Sequence, residues 1–286
     1  KSSEDSDMKK RAKILLAAAF AVCIILSVCV CLVVTSAANY SGSCGNNATY
    51  SFTSGTLTVS GSGDMNSYSS ATVPWADYRS QIKKVVVSDG ITSVGYYAFS
   101  NCSELTEVAL ASTVTSIGRF AFANDAKLAS VTLPNNLKNL GSHAFLNCAS
   151  LASVVVPEGV KTLAPSVFDG CSSLTSVTLP LTLKVVGASA FEDCTALVSL
   201  VIPDNAVSLG DYAFANCSSL TALRLHAAVK TFGSDLFDGC PSSLVVTCPK
   251  GSDADAYCSA NNITVKYEGL TDGGKDPDPG EWSPWF

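Results

Sequence analysis

Apolar and polar residues alternate along this chain in a pattern that repeats every 23 residues, without insertion or deletion over seven turns. Each repeat contains a segment of the form Leu-x-x-Val-x-Leu, in which the last two apolar residues flank one outward residue. This alternation predicts a short strand whose apolar side chains point inward. Because so short a unit cannot bury an apolar face alone, the period predicts a solenoid in which stacked units share one core.

The strands are expected to stack in parallel, one per turn, at about 4.8 Å. Eight rungs, from Val85 to Val246, would then span about 34 Å. Proline follows four of the strands, because it cannot donate a hydrogen bond to a continuing ladder. These prolines are Pro134, Pro157, Pro180 and Pro203.

Three further positions of the repeat predict a tightly turned side opposite the strands. One holds phenylalanine in every repeat, and we expect its rings to form a stacked column in the core: Phe99, Phe122, Phe145, Phe168, Phe191, Phe214 and Phe237. A second holds residue types that tolerate left-handed backbone, which predicts a turn: Asn101, Asn124, Asn147, Gly170, Asp193, Asn216 and Gly239. A third holds glycine in six repeats and Ala164 in the other, which predicts a tight bend or a close approach between backbones.

These motifs resemble the BspA-like family, the Treponema pallidum type of leucine-rich repeat. The motif Cys-x-x-Leu-x-x-Val-x-Leu-Pro, then Val-x-x-(Ile/Leu)-Gly, then Ala-Phe-x-(Asn/Gly)-Cys reads CASLASVVVPEGVKTLAPSVFDGC over residues 148–171. The resemblance covers residues 82–267 and implies a β-rich leucine-rich repeat solenoid of short parallel strands with turns. Local departures are Asp125 at a cysteine position, Ala111 and His226 at proline positions, and Ser243 at a leucine position.

The flanks of the repeat region, residues 82–249, predict a cap at each end. Within residues 39–81, strands at 50–52 and 56–59 predict a hairpin, residues 61–71 a Gly/Ser-rich loop, and Trp75 a ring laid over the first rung. Within residues 250–268, Ser252 is expected to cap a helix over 253–261, followed by a strand over 263–267.

The first 38 residues predict export of everything that follows. Residues 14–34 contain one polar residue, Ser27, and are long enough to cross a bilayer as a hydrophobic helix. Basic residues precede this run, which places the N-terminus in the cytoplasm. Two interpretations stay open: a signal peptide beginning at Met8, or an uncleaved membrane anchor. Residues 269–286 predict a Gly/Pro/Asp linker, and we expect the sequence to be a fragment at one or both ends.

Composition narrows the class of function. The chain is 47% hydrophobic and 15% charged, which excludes general disorder. Its net charge of −6 argues against a nucleic-acid binder that needs a basic face. From residue 39 onward, 13 Lys and Arg face 21 Asp and Glu, as in an acidic extracellular domain.

The cysteines favour packing over chemistry. Neighbouring rungs at about 4.8 Å are too far apart for a disulfide, which needs Cβ atoms about 3.5–4.5 Å apart, and ligands in one line do not surround a metal. Cysteines at this position are therefore expected to be small buried thiols. Cys248 and Cys258 either pair in a disulfide or remain thiols. With no catalytic motif in the sequence, we expect no enzyme activity, no cofactor and no metal.

The function that remains is binding along the strands. The outward strand residues form a small, hydroxylated and nearly uncharged strip, and those proposed to bind are Glu107, Thr132, Ser153, Val155, Ser176, Thr178, Ser199, Val201 and Arg224. The resemblance implies adhesion at the cell surface to host extracellular-matrix proteins, glycans or other cells. The alternatives are a structural stalk and an accessory region of a secreted enzyme.

Overall fold

The computed structural model describes residues 39–268. The hydrophobic helix expected over residues 14–34 and the linker expected over 269–286 lie outside the described residues. Between residues 39 and 268, no helix is long and apolar enough to cross a bilayer.

The described chain is built almost entirely from short strands. In chain order the strands are β1 (Tyr40–Ser43), β2 (Asn47–Thr53), β3 (Thr56–Asp64), β4 (Lys84–Val87), β5 (Ile91–Val94), β6 (Glu107–Leu110), β7 (Ser116–Ile117), β8 (Asn139–Leu140), β9 (Ser153–Val155), β10 (Thr162–Leu163), β11 (Ser176–Thr178), β12 (Val185–Val186), β13 (Ser199–Val201), β14 (Ser208–Leu209), β15 (Ala222–Arg224), β16 (Thr231–Phe232), β17 (Val245–Cys248) and β18 (Thr264–Tyr267). A 3₁₀ helix covers Ala76–Gln81, and one α-helix, α1, covers Asp253–Ala260.

Each turn of the solenoid contributes one rung to a side that we call the strand face. Pairing is parallel and in register at one repeat: Val85 faces Val108, Val154 faces Val177, and Leu200 faces Leu223. The rung at 130–133 joins β9 through a single bridge between Ser130 and Ser153. The predicted solenoid of stacked 23-residue units is confirmed.

The shorter strands follow one another along a second side of the stack, which we call the second sheet. They pair in parallel in two sets, β5, β7 and β8, then β10, β12, β14 and β16. The strand β3 serves both sheets, because it pairs with β4 over residues 56–59 and with β5 at Gly63 and Asp64. The Gly/Ser-rich loop predicted over residues 61–71 is therefore wrong for residues 61–64, which belong to β3. Gly61 and Gly63 have φ values of 111° and 79°, and this left-handed backbone lets one strand bend from one sheet to the other.

The phenylalanine column fills the side opposite the strand face. Successive rings from Phe99 to Phe237 stack with centroids 5.4–5.8 Å apart. The first six rings are fully buried, whereas Phe237 is half-buried at the end of the stack. The N–H of each of the first six phenylalanines donates to a carbonyl of the next repeat, as from Phe99 to Ala121 at 2.8 Å.

The turn predicted two residues after each phenylalanine is confirmed, since all seven residues at that position have φ between 56° and 72°. A second left-handed position, two residues before each phenylalanine, was not predicted. Its residues are Tyr97, Phe120, His143, Ser166, Ser189, Tyr212 and Asp235, with φ between 51° and 58°. Close approach at the glycine position is confirmed, because a Cβ on Gly141 would lie 2.7 Å from the backbone nitrogen of Arg119.

The cysteines beside the column are free thiols with a regular hydrogen-bond partner. Each Sγ–H donates to the carbonyl of the phenylalanine one repeat earlier, at 3.1–3.2 Å. The donors are Cys148, Cys171, Cys194, Cys217 and Cys240. Four of these carbonyls also accept the backbone N–H of the cysteine three residues later, so the thiol adds a second hydrogen bond while packing as an apolar group. They are the carbonyls of Phe145, Phe168, Phe191 and Phe214.

Asp125 occupies this cysteine position in one repeat and is fully buried. Its Oδ1 accepts a hydrogen bond from the Cys102 N–H at 2.8 Å, whereas its Oδ2 has no partner within the described residues. Burial raises the pKa of this carboxyl well above its usual range. The folded protein therefore favours the protonated form of Asp125.

Each end of the stack is closed by aromatic or helical residues. Trp75 lies on Phe99 with centroids 5.7 Å apart, and its Nε1–H donates to the Ala98 carbonyl at 2.7 Å. At the other end, the Ser252 hydroxyl accepts a hydrogen bond from the Asp255 N–H as the cap of α1. The strand β18 then pairs in parallel with β17 as a last rung.

The disulfide considered between Cys248 and Cys258 is not formed, because both residues are free thiols. Cys248 ends β17 and Cys258 lies on the buried side of α1, and neither is exposed. Burial raises the pKa of Cys258 to about 12, so this side chain remains a protonated, apolar filler of the cap.

Candidate binding surface

The strand face presents a strip of small, uncharged side chains over four adjacent rungs. Each of these rungs exposes a serine at its first outward position: Ser130, Ser153, Ser176 and Ser199. The second outward position alternates between hydroxyl and apolar side chains: Thr132, Val155, Thr178 and Val201. We call these eight residues the neutral strip. Parallel pairing places Ser153 beside Ser176 and Val155 beside Thr178.

The valines of the neutral strip are unusually open to solvent. Val155 is 64% exposed and Val201 is 55% exposed, although both belong to regular strands. Two more apolar side chains lie just outside the strip along the chain, Leu181 at 68% exposure and Val198 at 50%. These two were missed by the sequence analysis, because neither occupies an alternating strand position. Exposed apolar side chains grouped on one face are typical of an interaction surface.

Charged residues lie at both ends of the neutral strip and are already paired. The Glu107 carboxylate forms an ion pair with Lys84 on the neighbouring strand. At the other end, the Arg224 Nε lies 2.9 Å from Glu268 Oε1, and His226 Nε2 lies 2.7 Å from Asp204 Oδ1. Glu107 and Arg224, both proposed to bind, therefore lie at the two ends of the strip with their charges compensated. The middle of the strip has no charged side chain to offer a ligand.

The strip can bind by contact area and hydrogen bonds, and not by ion pairing. Serine and threonine hydroxyls donate and accept, so they adapt to either polar partner. The valine side chains offer apolar area whose burial favours association. The stacked parallel rungs place both kinds of contact at intervals of about 4.8 Å.

The buried thiols offer no nucleophile. Burial raises the pKa of Cys44 and of Cys240 to about 11, and it raises the pKa of Cys148, Cys171 and Cys194 well above the usual range of a thiol. Since only the thiolate attacks or binds a metal, these residues stay inert near neutral pH. Within residues 39–268, no three His, Cys, Asp or Glu side chains are grouped to hold a metal ion.

One acidic pair lies on the turn side. Burial, followed by the nearby Glu192 carboxylate, raises the pKa of Asp169 to about 6. The two residues occupy the same position in successive repeats, so their proximity follows from the register. This pair lies on a different side of the turn from the neutral strip and adds no ligand contact to it.

Comparison with known proteins agrees with this architecture. The family model described as the BspA type leucine rich repeat region matches residues 76–195 and 140–266, with six copies. A leucine-rich repeat protein of T. pallidum is 29% identical, with 78% of this chain and 96% of that chain covered at a TM-score of 0.55. One from Eubacterium ventriosum is 25% identical, with 75% and 73% covered at a TM-score of 0.50. No curated protein matches this sequence significantly.

Proposed function

Because the chain belongs to the BspA-type leucine-rich repeat family, we propose that it is a binding protein of the cell surface that attaches to its partner through the neutral strip. The partner class is a host extracellular-matrix protein, a glycan or a protein on another cell. Binding by a repeat solenoid needs no cofactor, since the regular face itself supplies the contacts.

The observation that carries this proposal is the exposure of Val155 and Val201 within a strip that has no charge. A solenoid that serves only as a spacer gains solubility from charged or polar residues on its exposed strands. Here the chain carries 21 acidic and 13 basic residues beyond residue 38, yet none of them belongs to the strip. The charges are instead placed at its two ends and on the other sides of the turn.

The surface location rests on the N-terminal sequence. The apolar run over residues 14–34, with basic residues before it and none directly after it, favours export of the repeats. Either a cleaved signal peptide or a retained anchor would present the strand face outside the cell. The buried thiols suit both, because a solenoid without disulfides does not depend on an oxidising compartment.

The test is binding of the full chain, purified in a non-ionic detergent, to an array of matrix proteins, mucins and glycans. A strip variant carries Ser153→Arg, Ser176→Arg and Thr178→Arg, which places three long charged side chains across the central rungs. A matched control carries Ser103→Arg, Ser112→Arg and Ser218→Arg, three exposed positions outside the strand face. Both variants add the same charge, so only the position of the arginines differs.

We expect a specific signal with the wild-type chain, its loss in the strip variant and its retention in the control. Retention in both variants would place binding elsewhere on the molecule. Absence of any signal from a well-folded chain would favour the stalk or the accessory region of a longer protein.

A further inference from the structure

A shallow groove of about 950 Å³ crosses three successive turns beside the second sheet. Its floor is backbone and small side chains, among them Gly118 and Gly141, where the turns approach too closely for a Cβ. Its walls carry three cations, Arg119, Lys138 and Lys161, and no acidic residue lines it. A basic groove is unexpected on a domain with an excess of carboxylates.

The three cations have no anionic partner among the described residues. All three side chains are exposed, and neither Lys138 nor Lys161 makes a side-chain hydrogen bond or ion pair within residues 39–268. The Arg119 guanidinium contacts an aromatic ring, since its Cζ lies 5.9 Å from the centroid of Phe120. The acidic residue closest in sequence to Lys161, Glu158, accepts hydrogen bonds from the backbone amides of Leu181 and Thr182.

Other lysines at the same position of the repeat behave differently. Lys138, Lys161, Lys184 and Lys230 recur at the 23-residue period. Lys184 donates to Asn205 Oδ1 at 3.3 Å, and Lys230 pairs with Asp253 at 2.7 Å. Lys138 and Lys161 precede the adjacent strands β8 and β10, so they are like charges one rung apart. Such an arrangement is destabilising unless an anion compensates it.

The neighbouring histidine responds to this uncompensated charge. His143 stacks on Phe120 with centroids 4.3 Å apart, and its Nδ1 is buried without a partner among the described residues. Burial lowers the pKa of His143, and the positive charge of Arg119 lowers it further. Arg119 thus acts on a neighbouring imidazole as well as on the groove that it lines.

We propose that this groove binds a linear anionic polysaccharide, with the negative groups of successive sugars pairing with Lys138, Lys161 and Arg119. The sugar hydroxyls would meet the side chains of Ser116, Asn139 and Thr162, which line the same groove. Tyr96, 47% exposed at the edge, offers a ring face for a sugar to stack on. The open floor follows the stack axis across three turns, which fits an extended chain.

Two other polyanions fit the groove less well. An extended acidic peptide binds by adding a strand to a free sheet edge, whereas this groove crosses strands that are already paired with their neighbours. Tight binding of nucleic acid needs many phosphate contacts, whereas this groove offers three cations. The groove lies beside the second sheet and not on the strand face, so this proposal does not depend on the neutral strip.

The test measures binding of labelled polysaccharides by fluorescence anisotropy, with the full chain in a non-ionic detergent. The probes are a heparin oligosaccharide, which carries sulfate, and hyaluronan, which carries carboxylate alone. Dextran is the neutral probe, and polyglutamate and duplex DNA are competitors. The groove variant is Lys138→Glu with Lys161→Glu, and the matched control, Lys83→Glu with Lys266→Glu, has the same charge at exposed sites outside the groove. A third variant, Lys138→Arg with Lys161→Arg, retains the positive charge.

We expect a sulfated or a carboxylated polysaccharide to bind and dextran not to bind. Affinity should fall about tenfold or more in the groove variant, stay near wild type in the control and the arginine variant, and weaken as salt is raised. Heparin and hyaluronan then report which anionic group is preferred. Equal losses in the groove variant and the control would mean that binding is nonspecific and would overturn the site. No binding, or tighter binding of polyglutamate or DNA, would overturn the proposed ligand.

Discussion

The phenylalanine column and the neutral strip belong to the same repeats but differ in how their residues are used. Along the column, one aromatic residue recurs in every turn and its ring contacts the ring before and after it. Along the strip, hydroxyl and valine side chains alternate and project into solvent. The rings of the column are buried against other parts of the protein, whereas the side chains of the strip are exposed and can contact another molecule. Under the proposed function, stability and binding are placed on different sides of each turn.

The largest effect should come from breaking the column. Phe168→Ala removes a fully buried ring that stacks on both neighbours, and we expect the free energy of unfolding to fall by about 3–5 kcal/mol. Denaturant unfolding measures this. Phe237→Ala is the matched control at the half-buried end of the stack and should cost less. Equal costs at the two positions would mean that stacking from both sides adds nothing.

A smaller effect is expected where the repeat departs from its own pattern. Asp125→Cys restores a thiol at a position where a buried carboxyl oxygen lacks a partner, and should raise the stability at pH 7 by about 1–3 kcal/mol. The Asp125→Asn variant removes the ionisable group while keeping its size.

The sign of the pH dependence follows from the raised pKa of Asp125. Above pH of about 3.9 the unfolded chain releases this proton while the folded chain retains it, so stability falls as pH rises. Wild-type stability should therefore increase from pH 7 toward pH 4. The slope of stability against pH should be shallower in both Asp125 variants. The pH dependence that remains is expected from Asp169, whose raised pKa of about 6 makes stability fall with rising pH in the same way. Unchanged slopes in both variants would show that Asp125 ionises normally in the fold.

Removing one thiol tests the hydrogen bond beside the column. In Cys194→Ala the Phe168 carbonyl loses its thiol donor but keeps the Cys171 N–H at 3.1 Å, and a small cavity forms. We therefore expect a loss of about 1 kcal/mol by thermal or denaturant unfolding. The same change at Cys240, which is only partly buried, should cost less. A neutral result at Cys194 would mean that the thiol is merely filling space.

The interior was predictable because each position demands one residue type. Phenylalanine at a 23-residue period predicts a buried column, and Asn or Gly two residues later predicts left-handed backbone. Trp75 was also predicted over the first rung, since a solenoid end needs a large apolar cover.

The features that the sequence did not predict depend on stacking rather than on residue type. Tyr97, Phe120 and His143 adopt left-handed backbone although such bulky residues disfavour it, because the inter-repeat hydrogen bonds set that conformation. The basic groove could not be predicted from the sequence, because the net charge of the chain is negative. Lys138 and Lys161 differ from Lys184 and Lys230 only in the structure, where the latter two have side-chain partners. The neutral strip was proposed from outward positions, and its role in binding stays a prediction.

The most direct measurement compares Phe168→Ala with the Ser153→Arg, Ser176→Arg and Thr178→Arg variant for both melting temperature and affinity toward the partner found on the array. Arginines at exposed strand positions should change stability by no more than about 0.5 kcal/mol. We predict that Phe168→Ala melts at a much lower temperature but binds with wild-type affinity while folded, whereas the arginine variant melts near wild type and does not bind. If melting temperature and affinity instead change together in both variants, the separation of stability and binding on opposite sides of the turn is contradicted.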